Sequence, residues 1–171
     1  MKALRQHHAV NPPSSSPHHD PSLPELGRGF VWQDLHVGQR FRTFRRTITE
    51  ADLVNFIGVT GMLEAIFIEE GYEGAAMPGR PVPAALTYAL IEGFLLQSMI
   101  QGTGLAMLEL EQKILAPVQV GDTVGATVEV TGIRPTSRSG RAVVDSQIEV
   151  FNQHGTKVMT YRARRLLAGR A

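Results

Sequence analysis

The apolar segment at residues 82–101 limits the possible folds more than any other part of this 171-residue chain. Large apolar side chains would lie nearly all the way round a helix formed here, so such a helix must be covered by other structure. Glu92 and Gln97 interrupt the segment near its middle, and two prolines stand at its start, which is untypical of a membrane-spanning helix. The segment therefore predicts a long buried helix and no membrane partner.

Four runs that follow this helix combine β-branched, aliphatic and aromatic residues, and turn residues separate them. They lie at residues 105–115, 123–133, 142–152 and 157–166. Short connections favour antiparallel pairing between successive strands. One further strand is predicted ahead of the long helix, at residues 40–48, where β-branched and aromatic residues alternate with arginines.

A shorter helix is predicted to begin after Thr49, because a side-chain oxygen at the N-cap and acidic residues in the first turn are typical of helix starts. Apolar residues then repeat at helical spacing until Gly58 or Gly61 ends the helix. Glycines and prolines interrupt residues 62–81, which predicts a long and partly irregular connection. Long connections of this kind often carry function.

These elements together predict an α+β domain in which an antiparallel sheet wraps around the long apolar helix, the arrangement called the hot-dog fold. We assign this single domain to residues 28–171. The first 27 residues hold five of the 10 prolines and four of the 6 histidines, and they predict a disordered or loosely attached arm. We interpret the histidine pairs of this arm as part of a solvated tail rather than as a metal site.

Charge and cysteine content exclude several functions. Lys+Arg 17 against Asp+Glu 16 gives a net charge of +1 without a long basic run, so no nucleic-acid partner is expected. The chain has no cysteine, and therefore no disulfide or thiolate metal site, and no metal site of another kind is predicted. An apolar signal-peptide stretch is missing from the first residues, which favours a cytoplasmic location.

Five short motifs follow one another along the chain. They are Leu35-x-Val37-Gly38-Gln39-x-Phe41, Ile48-Thr49-Glu50-Ala51-Asp52-x-x-x-Phe56, Thr60-Gly61, Gly79-Arg80-Pro81-Val82 and Ala116-Pro117-Val118-x-Val120-Gly121-Asp122-Thr123. In sequence and in order they resemble the MaoC-like acyl dehydratase and (R)-specific enoyl-CoA hydratase family. The resemblance implies an acyl-CoA or acyl-carrier-protein thioester as substrate, no cofactor, and a homodimer or larger homo-oligomer.

In the resembled family, Thr-Gly is followed by Asp-x-Asn-Pro-x-His, whose Asp and His activate water and transfer the proton. In register, Met62 stands at the Asp position, Glu64 at the Asn position and Phe67 at the His position. Methionine and phenylalanine cannot exchange protons, so the usual acid/base chemistry is impossible at those two positions. The resemblance still implies that Met62 and Phe67 contact the substrate.

Glu64 is our first candidate for a substitute catalytic residue, because it lies between the two replaced positions. Apolar residues surround it in sequence, and burial among them would favour a role in proton transfer. The alternative is a solvated glutamate of the connection.

Glu92 is a second catalytic candidate, as the only ionisable residue of the apolar helix. A buried carboxylate must be paired, protonated or used. Glu92 is therefore either a thioesterase-type catalytic carboxylate or a structural hydrogen-bonding group.

The start of the long helix is a candidate substrate-binding site. Its first backbone N–H groups, near Val82, Pro83 and Ala84, lack partners within the helix and can polarise a thioester carbonyl. Arg80 precedes them and is predicted to bind an acyl-chain carboxylate or a CoA phosphate, or to pair with Glu64, with an ordinary surface ion pair as the alternative.

The resemblance and these substitutions predict a hydro-lyase that acts on a short or branched enoyl or 3-hydroxyacyl thioester with non-standard acid/base residues. One alternative is a non-catalytic hot-dog subunit that binds an acyl thioester or pairs with an active relative. The other is a hot-dog thioesterase that uses Glu92.

Overall fold

The structure of the chain, a computed structural model, describes residues 26–77, 79–137 and 140–170. The predicted N-terminal arm lies outside these ranges except for its last two residues. The described helices are α1 (Glu50–Thr60), α2 (Ala65–Ile68) and α3 (Ala84–Leu96), preceded by a short 3-10 helix at Trp32–Asp34. The described strands are β1 (Arg40–Arg42), β2 (Arg46–Thr47), β3 (Gly104–Ile114), β4 (Thr123–Pro135), β5 (Arg141–Phe151) and β6 (Lys157–Ala168).

The strands form one antiparallel sheet in the order β1-β4-β5-β6-β3, and β2 also pairs with β4. The four strands predicted after the long helix are confirmed, with ends that differ by at most two residues. Strand β3 pairs with β6 rather than with β4, its successor in sequence. The connection from β3 to β4 therefore crosses from one side of the sheet to the other.

The prediction of a single strand at residues 40–48 is wrong, because the chain forms β1 and β2 with a break between them. In the break, the Thr43 hydroxyl donates a 2.7 Å hydrogen bond to the Phe44 carbonyl and accepts a 2.9 Å bond from the Ala126 N–H. The Phe44 ring packs 4.2 Å from the ring of Phe94 on α3. The Thr43 N–H still donates a 2.9 Å hydrogen bond to the Ala126 carbonyl, and regular strand pairing resumes only at Arg46.

Helix α1 begins as predicted. The Thr49 hydroxyl accepts a 3.3 Å hydrogen bond from the Asp52 N–H, and the Asp52 carboxylate accepts a 2.8 Å bond from the Thr49 N–H. This reciprocal arrangement is a capping box. The helix ends at Gly61 rather than Gly58, since Gly61 adopts the left-handed conformation, with a φ of 71°, that closes many helices.

Replacement of Thr49 by Ala is expected to lower the free energy of unfolding by about 1 kcal/mol, because an N-cap hydrogen bond is lost. Burial opposes ionisation of Asp52, but hydrogen bonds from Thr49 and the charge of Arg46 outweigh it and lower the pKa of the carboxyl group. A carboxyl group whose pKa is lowered in the folded state stabilises the fold at a pH above the usual Asp range, and this stabilisation is lost as the pH falls. The loss of stability caused by Thr49→Ala should therefore become smaller below about pH 4. Urea unfolding at pH 7 and pH 3.5 measures both effects, with the exposed Thr156→Ala as control.

Helix α3 packs against one face of the sheet and contributes its central apolar side chains to the core. Along β5, buried and partly exposed residues alternate, as expected when one face of a sheet carries a helix. The helix is confirmed in position but spans 13 residues instead of the predicted twenty or so. Pro81 forms an isolated bridge with Gln119, which keeps the chain extended before α3 begins.

One face of α3 is not covered within the chain, contrary to the prediction of a fully wrapped helix. Ala89 is exposed, and Leu96 is 51% exposed. The neighbouring edge strand β3 also carries exposed apolar side chains. Among the described residues, no helix is long and apolar enough to cross a membrane.

Candidate functional site

A cavity of about 480 Å³ lies where the connection after α1 meets the N-terminus of α3. Its walls are Gly61, Met62, Leu63, Glu64, Phe67, Pro83, Ala84 and Ala85. The fold thus brings together five of the predicted site residues, which are separated by about twenty positions in the sequence. We call this space the helix-end cavity.

Two backbone donors of α3 are available at this cavity. The first hydrogen bonds at the start of the helix come from the N–H groups of Leu86 and Thr87, which both donate to the Pro83 carbonyl at 2.9 and 3.3 Å. The preceding N–H groups of Ala84 and Ala85 donate to no backbone acceptor among the described residues. They lie at the positive end of the helix dipole, where a developing oxyanion is stabilised.

Glu64 is the only ionisable side chain among the residues that line the helix-end cavity. It occupies the N-cap position of the short helix α2, and its carboxylate does not cap that helix. The predicted burial by neighbouring apolar residues is not found, since Glu64, Met62 and Leu63 are all exposed in the single chain. The carboxylate therefore faces the open mouth of the cavity and is accessible to water.

Two other predicted binding residues do not line the cavity. Arg80 forms an ion pair with Glu50 in the first turn of α1, which is the ordinary ion pair expected as the alternative, and it does not pair with Glu64. Val82 is buried, and its N–H donates a 2.7 Å hydrogen bond to the Val118 carbonyl. Both residues position the start of α3.

Glu92 lies on α3, about two turns or ~12 Å along the helix axis from Ala84. Only 9% of the residue is exposed. Its Oε1 atom accepts a 2.7 Å hydrogen bond from the Tyr161 hydroxyl and a 2.6 Å hydrogen bond from the Arg165 guanidinium. The buried carboxylate is thus paired with a cation of the same chain.

The two tyrosines near Glu92 remain protonated. Burial, reinforced by the Glu92 charge, raises the pKa of Tyr161 far above its usual value. Burial and the same charge also raise the pKa of Tyr88, whose ring packs edge-on to Tyr161 at 5.3 Å. Both hydroxyl groups are therefore hydrogen-bond donors throughout the physiological pH range.

A second cavity, of about 500 Å³, lies between α3, the start of β3 and β6. It is lined by Tyr88, Ala89, Glu92, Leu96, Ile100, Gly104, Leu105, Ala106, Met107 and Arg165. We call it the Glu92 cavity. Most of its wall is apolar, and its polar side chains are Tyr88, Glu92 and Arg165. Together with Tyr161, which donates to Glu92, we call these residues the Glu92 cluster.

Sequence reasoning missed Arg165 and Tyr161 as partners of Glu92. A usable signal was present, because residues 159, 161, 163, 165 and 167 alternate onto the buried face of β6. An arginine at a buried strand position requires an anion nearby, and Glu92 is the only charged residue of α3.

No group of three or more His, Asp or Glu side chains is placed to hold a metal ion in the part of the chain that the structure describes.

Comparison with known proteins places the geometry in context. The family model for the FAS1-like dehydratase domain region matches residues 35–161. An (R)-specific enoyl-CoA hydratase of Rhodospirillum rubrum is 26% identical over 130 residues, which cover 70% of this chain and 90% of the relative.

Solved structures share the fold. A MaoC-like dehydratase from Rhodospirillum rubrum superposes with a TM-score of 0.75 at 24% identity, over 84% of this chain and 99% of the other. A Mycobacterium tuberculosis protein described as having a double hot-dog fold superposes with a TM-score of 0.75 at 18% identity, over 86% of this chain and 46% of the other. The predicted α+β hot-dog fold is confirmed.

Proposed function

Because this chain belongs to the FAS1-like dehydratase domain family of MaoC-like hot-dog proteins, we propose that it is an acyl-thioester hydratase/dehydratase whose substrate binds in the helix-end cavity. The observation that supports this most directly is the pair of available N–H groups, on Ala84 and Ala85, at the wall of that cavity. They can bind the thioester carbonyl oxygen and stabilise the enolate that forms when a proton leaves Cα.

Hydration adds water across the double bond of an enoyl thioester, so that hydroxyl bonds to Cβ and a proton to Cα. Glu64 is the group that can take the proton from water, since Met62 and Phe67 supply only apolar contacts. The protonated carboxyl group then delivers this proton to Cα. In the dehydration direction the carboxylate removes the Cα proton and returns it to the hydroxyl group, which leaves Cβ as water. The substrate is an acyl-CoA or an acyl-carrier-protein thioester, and no cofactor takes part. We place the reaction in the cytoplasm.

Apolar contacts from Met62, Phe67 and Pro83 at the wall of the helix-end cavity favour a short or branched acyl group near the reacting carbons. A distal carboxylate has no recognition group there. Arg80, the predicted partner for such a carboxylate, pairs with Glu50 instead.

The test uses crotonyl-CoA, a short enoyl thioester, with purified full-length protein. Loss of enoyl absorbance without release of free thiol is the expected result. Release of thiol at an unchanged double bond would instead identify a thioesterase that uses Glu92, although Glu92 lies ~12 Å along α3 from the proposed carbonyl site.

A non-catalytic acyl-thioester-binding subunit is the second candidate. It is favoured by the exposure of Glu64, because a water-exposed carboxylate lacks the environment that adapts such groups to proton transfer. The Mycobacterium tuberculosis neighbour has a double hot-dog fold, of which this chain covers 46%, so a single hot-dog unit corresponds to about half of that arrangement. Binding of crotonyl-CoA without turnover, followed by turnover on addition of an active relative, would support this candidate.

The edge strand β3 offers a place where a second hot-dog unit can pair with the sheet. Met107, Leu110 and Ile114 pair with residues on the helix-facing side of β6, yet they are exposed because β3 is the edge of the sheet. An exposed apolar edge strand is a site for further strand pairing. We propose a homodimer in which the β3 edge meets the same edge of a second copy.

Replacement of Leu110 by Lys is therefore expected to weaken dimerisation at least about 30-fold, because it buries an unpaired charge in an apolar interface. Val59→Lys is the matched control, since Val59 is 83% exposed on α1, away from β3. Sedimentation equilibrium across a concentration series measures both variants. A wild-type chain that stays monomeric at all concentrations would contradict the proposed dimer.

A further inference from the structure

The Glu92 cavity lies on the same face of α3 as the helix-end cavity. Ala84, Tyr88, Glu92 and Leu96 follow one another at four-residue spacing, which places them in one row along a helix. Ala84 lines the helix-end cavity, and the other three line the Glu92 cavity. A chain that starts at the end of α3 and runs along this row therefore reaches the Glu92 cluster.

The polar cluster at the end of this row carries no net charge. The Glu92 carboxylate and the Arg165 guanidinium pair with each other, and the Tyr161 hydroxyl is a neutral donor. The Glu92 carboxylate would repel an anionic ligand group, and the Arg165 guanidinium would repel a cationic one. The cluster thus favours a neutral polar group over either ion.

The hydrogen bonds of the cluster leave one acceptor and one donor for such a group. Both hydrogen bonds that the described residues make to Glu92 end on Oε1, so Oε2 is the acceptor that remains. The half-buried Tyr88 hydroxyl forms no hydrogen bond among the described residues and is protonated, so it remains a donor. A ligand hydroxyl matches both, because it donates to one atom and accepts from the other.

A separate observation indicates that the cluster is incomplete. Arg165 is 6% exposed, and its buried Nε atom has no hydrogen-bond partner among the described residues. Buried hydrogen-bond donors without a partner are rare in folded proteins. Oxygen atoms entering the Glu92 cavity would reach the same side chain that carries this unsatisfied donor.

We propose that the Glu92 cavity binds the distal part of the acyl chain and selects chains that carry a hydroxyl group near their far end. This inference rests on the proposed function, since it takes the thioester to lie at the start of α3. An extended chain of about eight carbons spans roughly 9 Å of the ~12 Å between Ala84 and Glu92, since each C–C bond of a zigzag chain advances about 1.25 Å. The apolar wall formed by Ala89, Leu96 and Leu105 contacts its methylene groups.

The test compares the affinities of four CoA thioesters for the full-length protein by isothermal titration calorimetry. Crotonyl-CoA tests the helix-end cavity alone. Octanoyl-CoA, 8-hydroxyoctanoyl-CoA and the CoA thioester of octanedioic acid share one chain length and end in methyl, hydroxyl and carboxylate. All three are saturated, so hydration cannot consume them during the measurement.

We expect 8-hydroxyoctanoyl-CoA to bind about tenfold more tightly than octanoyl-CoA, because its hydroxyl donates to a charged acceptor. The carboxylate-ended thioester should bind more weakly than the hydroxyl-ended one. Tyr88→Phe should reduce the hydroxyl-over-methyl preference to less than about threefold. Tyr72→Phe, which removes the hydroxyl of an exposed tyrosine that lines neither cavity, should leave the preference unchanged.

The outcomes separate the two proposals. If crotonyl-CoA binds but the hydroxyl-ended and methyl-ended chains bind equally, the distal hydroxyl site is wrong and the proposed function stands. A preference that survives Tyr88→Phe also overturns the assignment of this site. If none of the four thioesters binds, both proposals are wrong.

Discussion

Replacement of Glu64 by Gln is expected to lower the turnover of crotonyl-CoA hydration by roughly 10²–10⁴-fold, the usual loss when a general base is removed. Glutamine keeps the size of the side chain but cannot take a proton. Glu64 is exposed, and Arg80 pairs with Glu50 instead, so the substitution should leave the unfolding temperature unchanged. Stopped-flow absorbance of the enoyl group measures the rate.

Glu70→Gln is the matched control, because it removes another exposed carboxylate from the same connection without changing the cavity wall. It should retain wild-type turnover. Full activity of Glu64→Gln, together with loss of activity in Glu92→Gln, would move the chemistry to the helix carboxylate and support the thioesterase interpretation. Equal activity of all three variants would place the proton transfer on another chain or another residue.

The affinity of the Glu64 variant tells the two candidate functions apart. A base acts on the reacting atoms, so its loss lowers kcat with little change in substrate affinity. A non-catalytic subunit shows no turnover to lose, and Glu64→Gln would then change only the binding of crotonyl-CoA. Calorimetry with wild-type and variant protein therefore accompanies the rate measurement.

Local signals in the sequence were sufficient to predict the frame of the fold. The capping box at Thr49 fixes the start of α1 through contacts within four residues, which sequence patterns report directly. Runs of β-branched, aliphatic and aromatic residues between turn residues predicted β5 and β6 in the same way. The break between β1 and β2 depends on packing of Phe44 against Phe94, which no local pattern reports.

The candidate site was predictable only in part, for the same reason. The family motifs identified Met62, Glu64 and Phe67 as neighbours, and the structure places them in one cavity. Whether Glu64 is buried depends on what covers the mouth of that cavity, which is a tertiary property. The partner of Glu92 lies 73 positions away on β6, where only the register of the sheet brings it to the helix.

Replacement of Arg165 by Met is expected to lower the free energy of unfolding by about 3–5 kcal/mol, because it leaves the buried Glu92 carboxylate without its cation. The side chains of both residues are almost fully buried, at 7% and 12% exposure. Tyr161 can offer the carboxylate one hydrogen bond but no charge. Chemical unfolding followed by circular dichroism measures the loss.

The double variant Glu92→Gln with Arg165→Met keeps the prediction testable if the single variant does not fold. Without either charge, no unpaired ion remains in the core, and the double variant should regain at least about half of the lost stability. Arg162→Met is the matched control on the opposite face of β6, where an exposed arginine lies 3.9 Å from Glu111 and should contribute less than about 1 kcal/mol. If the single Arg165 variant were as stable as Arg162→Met, the ion pair would not hold Glu92. The inference that the Glu92 cluster is neutral, on which the hydroxyl preference of the Glu92 cavity depends, would then be wrong.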